Sequence, residues 1–212
     1  MMGKIGEQIV QRCFSEQLKS QLDYRYGKYF HYASGELNGR LDKLYADYFA
    51  NIGTKCILIE FKEFESEIRS EKRKPLREKL CKRIPRSYQK DSYCCHFISW
   101  REKDSDSIDV ILNRYLSKVG PLFDVRFEEF DDVCAEQFIT DFIDGDVGLE
   151  FVDFEDYLKY LASLDDGPKG GGGKIGGMIL IFNKKLKKCF NAIFYDINDI
   201  LAFNEVKGLS FS

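Results

Sequence analysis

The chain has 212 residues, a mass of 24.7 kDa and a formal net charge of −3. Apolar residues make up 44% and aromatic residues 15%, which excludes a wholly disordered chain and allows one domain with a full core. No apolar run approaches the roughly 18 residues that a membrane span needs, and the first residues lack a signal peptide's apolar segment, so we expect a cytoplasmic protein without membrane contact.

The first half of the chain is predicted to fold as a helix, three strands, a helix and a strand. Apolar residues recur every three or four positions from Gly3 to Leu22, which indicates an amphipathic helix with Glu7 in its first turn. A second helix is expected over 66–84, where Pro75 marks either a kink or a new helix start. Strands are predicted over 24–32, 40–51, 55–62 and 92–100, with a turn region over 34–39.

Beyond Arg101 the periodicity is weaker. The segment 165–177 is rich in glycine and is predicted to be a flexible loop. Its Gly170–Lys174 stretch is similar to a phosphate-binding loop, but Ile175 stands where that motif needs Ser or Thr, and no strand precedes it. Helices are predicted over 107–118, 133–143 and 154–164, and strands over 123–130, 178–182 and 189–195.

The cysteines and histidines of the chain argue against zinc and against a hydrolytic triad. Seven cysteines occur without a C-x-x-C pair, which favours free thiols in a reducing compartment. The chain's two histidines, His31 and His96, give too few imidazoles for a typical structural zinc site. Because neither has an evident nucleophile with an orienting acid, we expect both to be core or edge residues.

Charge is distributed unevenly along the chain. Residues 69–90 contain ten Lys or Arg against two Glu, whereas residues 104–166 contain eighteen Asp or Glu against four Lys or Arg. The basic segment is either a solvated helix face or a surface that binds the phosphates of a nucleic acid, and the acidic segment 104–166 could dock a basic protein partner. The basic residues proposed for phosphate contact are Lys72, Arg73, Lys74, Arg77, Lys79, Lys82, Arg83 and Arg86.

The stretch from Asp47 to Lys62 is predicted to be a β-hairpin that ends in charged residues. Strand side chains alternate in direction, so Glu60 and Lys62 should share one face, while Asp47 enters from the neighbouring strand. Two nearby carboxylates beside an ammonium suit a hard divalent cation such as Mg²⁺ or Mn²⁺, and the lysine could hold or activate a water molecule. The alternative is an exposed strand end with a cross-strand ion pair.

With these residues placed on the predicted elements, the chain resembles the PD-(D/E)xK nuclease superfamily. The resemblance implies that Asp47 and Glu60 bind Mg²⁺ or Mn²⁺, that Lys62 positions or activates the attacking water, and that Glu7 completes the site. It implies a metal-dependent nuclease acting on DNA or RNA, alone or as the nuclease subunit of a larger defence or DNA-processing system. The competing hypothesis is a non-catalytic interaction module on the same or another α/β fold.

The resemblance covers roughly residues 3 to 100. It implies an α/β fold in which residues 1–103 form a restriction-endonuclease-like αβββαβ core with a mixed central sheet. Residues 104–212 are then an acidic α+β elaboration packed on that core. Ala46 departs from the family's proline, Asp42 is an alternative first acid, and a second acid-x-lysine triplet stands at Glu205–Lys207. The triplet alone is therefore weak evidence for a nuclease, and the assignment depends on the predicted helices and strands that surround it.

Overall fold

A mixed β-sheet with helices on both faces forms the centre of the protein. The computed structural model describes residues 3–27, 32–36, 46–52, 54–103, 108–165, 177–183 and 188–194. Two 3-10 helices span Glu65–Arg73 and Gly120–Phe123. The α-helices are α1 (Gly3–Tyr26), α2 (Pro75–Arg83), α3 (Arg86–Cys95), α4 (Tyr115–Val119), α5 (Ala135–Asp144) and α6 (Phe151–Ser163).

The sheet combines antiparallel and parallel pairing. Strands β1 to β6 lie side by side in chain order, with β3 and β4 parallel and the other neighbours antiparallel. The short β7 pairs with the start of β3, and β8 with β9 forms a separate hairpin. The strands are β1 (Tyr32–Glu36), β2 (Tyr48–Ile52), β3 (Lys55–Phe61), β4 (His96–Arg101), β5 (Val110–Arg114), β6 (Val133–Cys134), β7 (Leu149–Glu150), β8 (Gly177–Asn183) and β9 (Lys188–Phe194).

The mixed α/β class and the mixed sheet predicted from the sequence are confirmed. Up to residue 101 the order is a helix, three strands, a helical segment and a strand. Strands β5 and β7, which follow residue 103, pair with β4 and β3, so the second half of the chain extends the same sheet.

Alternation along β3 divides the core into two apolar layers. Ile57, Ile59 and Phe61 face α1 and α5, while Cys56 and Leu58 face the opposite layer, which includes residues of α2, α4 and α6. Glu60 continues the second set, so the period of the strand directs its carboxylate into the layer that contains α2. This placement determines which side chains can neutralise the carboxylate.

The hairpin of β2 and β3 and several other predicted elements are confirmed. Strand β2 pairs antiparallel with β3, and Pro75 begins a new helix after the 3-10 helix Glu65–Arg73. The helices predicted over 133–143 and 154–164 and the strands predicted over 178–182 and 189–195 are present with shifted ends.

Two predictions near the start of the chain are wrong. Tyr24–Tyr26 belong to α1 instead of a strand, because the helix continues until Gly27, whose φ of +78° ends it. Tyr24 is 94% exposed, so its aromatic ring is no sign of a buried strand. Ser34–Glu36, predicted as a turn, belong to β1 and pair with β2.

Three further predictions in the middle of the chain are wrong. Ser92–Cys95 are the last turn of α3, and β4 begins only at His96. Within the predicted helix 107–118, Val110–Arg114 form β5, because pairing with β4 overrides the helical spacing. The predicted strand 123–130 begins at the end of a 3-10 helix and continues without regular structure.

Several sequence features lie outside the described residues. They are Asp42, His31, most of the glycine-rich segment and the second triplet Glu205–Lys207. In the part of the chain that the structure describes, no helix is long and apolar enough to span a membrane. Cys13, Cys56, Cys81, Cys94, Cys95 and Cys134 are free thiols.

Phe14 tests the layer between α1 and the sheet. Its ring is fully buried, with ring centroids of Tyr48, Phe61 and Phe138 within 6.1 Å. We expect Phe14→Ala to lower the free energy of unfolding by about 3–5 kcal/mol, because it leaves a cavity among these rings. Tyr24→Ala, at an exposed position of the same helix, should change it by less than about 0.5 kcal/mol. Urea unfolding measures both, and equal losses would contradict this packing.

Candidate functional site

Charged side chains gather where β3 ends. Glu60 is completely buried, and the Lys62 ammonium nitrogen lies 2.6 Å from its Oε1 atom. The backbone is fixed here because Lys62 N donates a hydrogen bond of 2.8 Å to Ser99 O at the end of β4. Glu60 and Lys62 therefore lie on one face of the sheet, but they are buried instead of standing at an exposed strand end.

Glu71, on the 3-10 helix Glu65–Arg73, is a second buried carboxylate of this cluster. Its side chain is fully buried, and its Oε1 atom lies 3.1 Å from the Lys62 nitrogen. The hydroxyl of Tyr115 donates a hydrogen bond of 2.6 Å to its Oε2 atom. Glu71 is not among the site residues predicted from the sequence, because it stands within a predominantly basic segment.

Two residues of the predicted phosphate-binding set point into this cluster. The Lys74 nitrogen lies 2.5 Å from Glu60 Oε1 and 3.0 Å from Glu71 Oε1. Arg77 has only 1% of its side chain exposed. Its Nη2 atom lies 3.4 Å from Glu60 Oε2, and its Nε atom lies 3.6 Å from Glu71 Oε2. The spacing of three between Glu71, Lys74 and Arg77 is the sequence signal for a shared face.

The remaining members of the predicted phosphate-binding set do not join the cluster. Lys79 is half-buried and donates a hydrogen bond to Leu164 O. Lys82 pairs with Glu78 on the surface of α2. The exposed members of the set are Lys72, Arg73, Lys82, Arg83 and Arg86.

Asp47 approaches the same point from the start of β2. Its Oδ2 atom accepts a hydrogen bond of 2.7 Å from Phe61 N, the amide between Glu60 and Lys62. Among the described residues, no basic side chain forms an ion pair with it. Burial raises the pKa of Asp47 well above its ordinary value, and the charge of Glu60 raises it further against the opposing effects of Lys62 and Lys74.

Glu7 closes the cluster from the first turns of α1. Its carboxylate lies 3.8 Å from the Lys62 nitrogen, with 35% of the side chain exposed. Burial raises its pKa, as does Glu60, although Lys62 opposes them. The neighbouring Gly6 lets α1 come this close, because a Cβ atom at that position would lie 2.1 Å from Glu63 Cδ.

The pKa values of Glu60 and Lys62 are shifted in the directions that favour their charged forms. Burial alone would raise the pKa of Glu60, but Lys62, Lys74 and Arg77 together hold it well below the usual range. Burial alone would lower the pKa of Lys62, but Glu60, Glu71 and Asp47 raise it instead. Lys62 is consequently an ammonium at neutral pH and acts as a hydrogen-bond donor.

The donor set matches a hard cation only in part. Across the described residues, no group of three or more His, Cys, Asp or Glu side chains is arranged to hold a metal ion. The Lys62 and Lys74 ammonium groups both lie between Glu60 and Glu71. The cluster nevertheless has one more carboxylate than basic groups, and Asp47 forms none of the direct ion pairs. Oxygen ligands with an excess of negative charge are what Mg²⁺ or Mn²⁺ requires.

His96 belongs to the core beneath the cluster. It is fully buried, its ring stacks on Tyr115 at 4.2 Å between ring centroids, and its Nδ1 atom lies 3.0 Å from the Tyr157 hydroxyl. Burial lowers its pKa well below the ordinary value, and Arg77 adds to that effect, so the imidazole is neutral.

Comparison of the chain with protein-family models, with curated proteins and with solved structures gives no match.

The raised pKa of Asp47 predicts a distinctive pH dependence of stability. From its ordinary pKa of 3.8 up to the raised value, the folded protein holds a proton that the unfolded chain has lost. Folding then takes up that proton, so the contribution of Asp47 to stability falls as the pH rises, by up to about 1.4 kcal/mol per pH unit. Asp47→Asn should abolish this slope, since an amide does not titrate and its oxygen can still accept the Phe61 hydrogen bond.

Urea unfolding of wild type and Asp47→Asn from pH 5 to pH 8 measures the difference. We expect the variant to gain stability relative to wild type as the pH rises through this range. Asp156→Asn, on the exposed face of α6, is the matched control. A stability difference between Asp47→Asn and wild type that does not change with pH would contradict the assigned environment of Asp47.

Proposed function

We propose that the protein is a metal-dependent nuclease that hydrolyses phosphodiester bonds of DNA or RNA. One observation carries the proposal: Lys62 contacts Glu60 and lies 3.8 Å from Glu7, while Asp47 binds the amide between Glu60 and Lys62. Residues from α1, the start of β2 and the end of β3 thus meet at one point. An acid-x-lysine triplet without a function would not require acids from two other elements beside it.

The arrangement of elements supports the same proposal. An antiparallel β1-β2-β3 meander is followed by helices and by β4, which is parallel to β3. This is the order expected of a restriction-endonuclease-like core, with the acids at the ends of its central strands. The proposed family and the proposed site therefore agree in their placement on the sheet.

Asp47 and Glu60 would bind Mg²⁺ or Mn²⁺, with Glu7 as an outer or second-metal ligand. When bound, the ion would polarise the scissile phosphate and lower the pKa of a bound water molecule. Phe61 N–H orients the Asp47 carboxylate. Because the pKa of Lys62 is raised, this side chain would position the attacking water or stabilise the phosphate charge as an ammonium, and would not remove a proton.

The exposed basic residues near the site would hold the nucleic-acid backbone. Lys72 and Arg73 end the 3-10 helix whose Glu71 reaches the cluster, and Arg83 and Arg86 lie at the junction of α2 and α3. Cations on such a surface neutralise phosphates without reading the base sequence. This surface supplies affinity, while the cluster would supply the chemistry.

A non-catalytic interaction module is the second candidate. It is favoured by the pairing of both Glu60 oxygens with basic groups, which gives the carboxylate a purely structural role. Many acids between residues 124 and 156 are exposed and could dock a basic protein partner. They are Asp124, Glu128, Glu129, Asp131, Asp132, Glu136, Asp144, Asp146, Glu150, Asp153 and Asp156.

Two substitutions at the cluster separate these functions. We expect Glu60→Gln and Lys62→Met each to reduce Mg²⁺- or Mn²⁺-dependent cleavage of single- and double-stranded DNA and RNA by at least about a hundredfold, because the first removes a proposed metal ligand and the second removes the ammonium that would position the water or stabilise the phosphate charge. Gel assays with protein purified free of contaminating nuclease measure cleavage, and circular dichroism checks that each variant folds.

The second triplet supplies matched controls. Glu205→Gln and Lys207→Met make the same chemical changes in the other acid-x-lysine triplet. We expect both variants to cleave nucleic acid at the wild-type rate. No cleavage by wild type with either metal, together with tight binding of a protein partner, would favour the interaction module. Cleavage that survives both Glu60→Gln and Lys62→Met would exclude this site as the catalytic centre.

The basic surface makes a separate prediction about salt. Replacing Lys72, Arg73 and Arg86 together with Gln should weaken binding to DNA of any sequence and lower the slope of log affinity against log salt. Each lost phosphate contact should reduce the magnitude of that negative slope by about 0.9 for a duplex or about 0.7 for a single strand. Fluorescence anisotropy at several salt concentrations measures the slope. Lys159→Gln, an exposed lysine of the acidic α6, is the control and should leave it unchanged.

A further inference from the structure

Two lysines bridge the same pair of buried oxygen atoms. The Lys62 nitrogen lies 2.6 Å from Glu60 Oε1 and 3.1 Å from Glu71 Oε1. The Lys74 nitrogen lies 2.5 Å and 3.0 Å from the same two atoms. If one of the two lysines moves away, the other lysine still pairs with both carboxylates.

The two lysines are held to different degrees. Lys62 has 4% of its side chain exposed and also donates a hydrogen bond to Phe61 O. Lys74 has 33% exposed and, among the described residues, its ammonium forms ion pairs only with the two carboxylates. Its backbone is extended, because it stands between the 3-10 helix Glu65–Arg73 and α2. Lys74 is therefore the one that can swing into solvent.

Glu71 has an oxygen that is poorly satisfied by this arrangement. Its Oε1 atom is buried and, within the described residues, accepts no hydrogen bond of acceptable geometry, although two ammonium nitrogens lie within 3.1 Å. Its Oε2 atom is satisfied by Tyr115. A buried carboxylate oxygen that is close to cations but without a directed hydrogen bond has a lone pair available to a metal ion.

The net charge of the cluster also favours the replacement of one ammonium group by a divalent cation. The carboxylates of Glu7, Asp47, Glu60 and Glu71 face the cations of Lys62, Lys74 and Arg77. Departure of one ammonium, together with loss of the Asp47 proton, leaves two uncompensated negative charges, which one divalent cation neutralises. The cluster with a divalent ion in place of Lys74 is thus neutral once Asp47 is ionised.

We propose that Lys74 is an exchangeable internal cation, which holds Glu60 and Glu71 in the metal-free protein and is displaced when a divalent ion binds these two carboxylates. The proposal rests on the function proposed above and adds Glu71 to its metal ligands. The released ammonium enters the exposed basic surface beside Lys72 and Arg73. Metal binding and phosphate binding are then coupled through one side chain.

Calorimetric titration with MnCl₂ tests the exchange without relying on catalysis. We expect Lys74→Met to bind Mn²⁺ about tenfold more tightly than wild type, because the competing ammonium is gone. Lys82→Met is the matched control, since Lys82 pairs with the exposed Glu78, and it should bind as wild type does. Equal affinities of wild type and Lys74→Met would overturn the exchange while leaving the proposed nuclease site standing.

Acylation of lysines in the wild-type protein, read by mass spectrometry, gives a second measurement that needs no variant. Mn²⁺ should raise the labelling rate of Lys74 several-fold and leave that of Lys82 unchanged. Mn²⁺ binding without a change at Lys74 would overturn the exchange, and this result decides the matter if Lys74→Met does not fold. Absence of Mn²⁺ binding by wild type and by folded Lys74→Met would overturn both the exchange and the proposed metal-dependent function.

Discussion

The burial of the Glu60 carboxylate is the constraint around which the surrounding structure is arranged. An ionised carboxylate without partners inside a protein costs several kcal/mol. The alternation of β3 turns this carboxylate toward α2, so cations must come from that side. Arg77 comes from α2, Lys74 from the junction before it, and Lys62 from the position directly after β3. Glu71 balances these cations, and Tyr115 fixes Glu71.

This network stabilises Glu60 as an anion but leaves Asp47 uncompensated. The pKa values of the two acids move in opposite directions, although they approach the same point, Glu60 fully buried and Asp47 partly buried. A purely structural ion-pair cluster would gain nothing from adding a partly buried acid that forms no ion pair with a described basic side chain. Pairs of titratable groups whose surroundings push their pKa values apart are characteristic of functional sites. The imbalance at Asp47 therefore favours a cation-binding role over simple stabilisation.

The sequence was informative where local rules decide the structure. Strand alternation correctly placed Glu60 and Lys62 on one face, and the rigid ring of Pro75 correctly marked a helix start. Prediction from the sequence failed where pairing between strands decides the structure. The apolar spacing of 107–118 fits a helix, but Val110–Arg114 form a strand that pairs with β4. A run of like charges also cannot reveal which of its members are buried. Arg77 and Lys74 were therefore assigned to phosphate binding, although they face Glu60.

A crystal structure of the protein grown with Mn²⁺, with anomalous differences used to locate the ion, tests the proposed metal site directly. We expect an anomalous peak about 2.0–2.3 Å from carboxylate oxygens of Asp47 and Glu60, with the Lys74 ammonium withdrawn from Glu60. A structure with no such peak at saturating Mn²⁺, and with Lys62, Lys74 and Arg77 still paired to Glu60, would rule out this metal site.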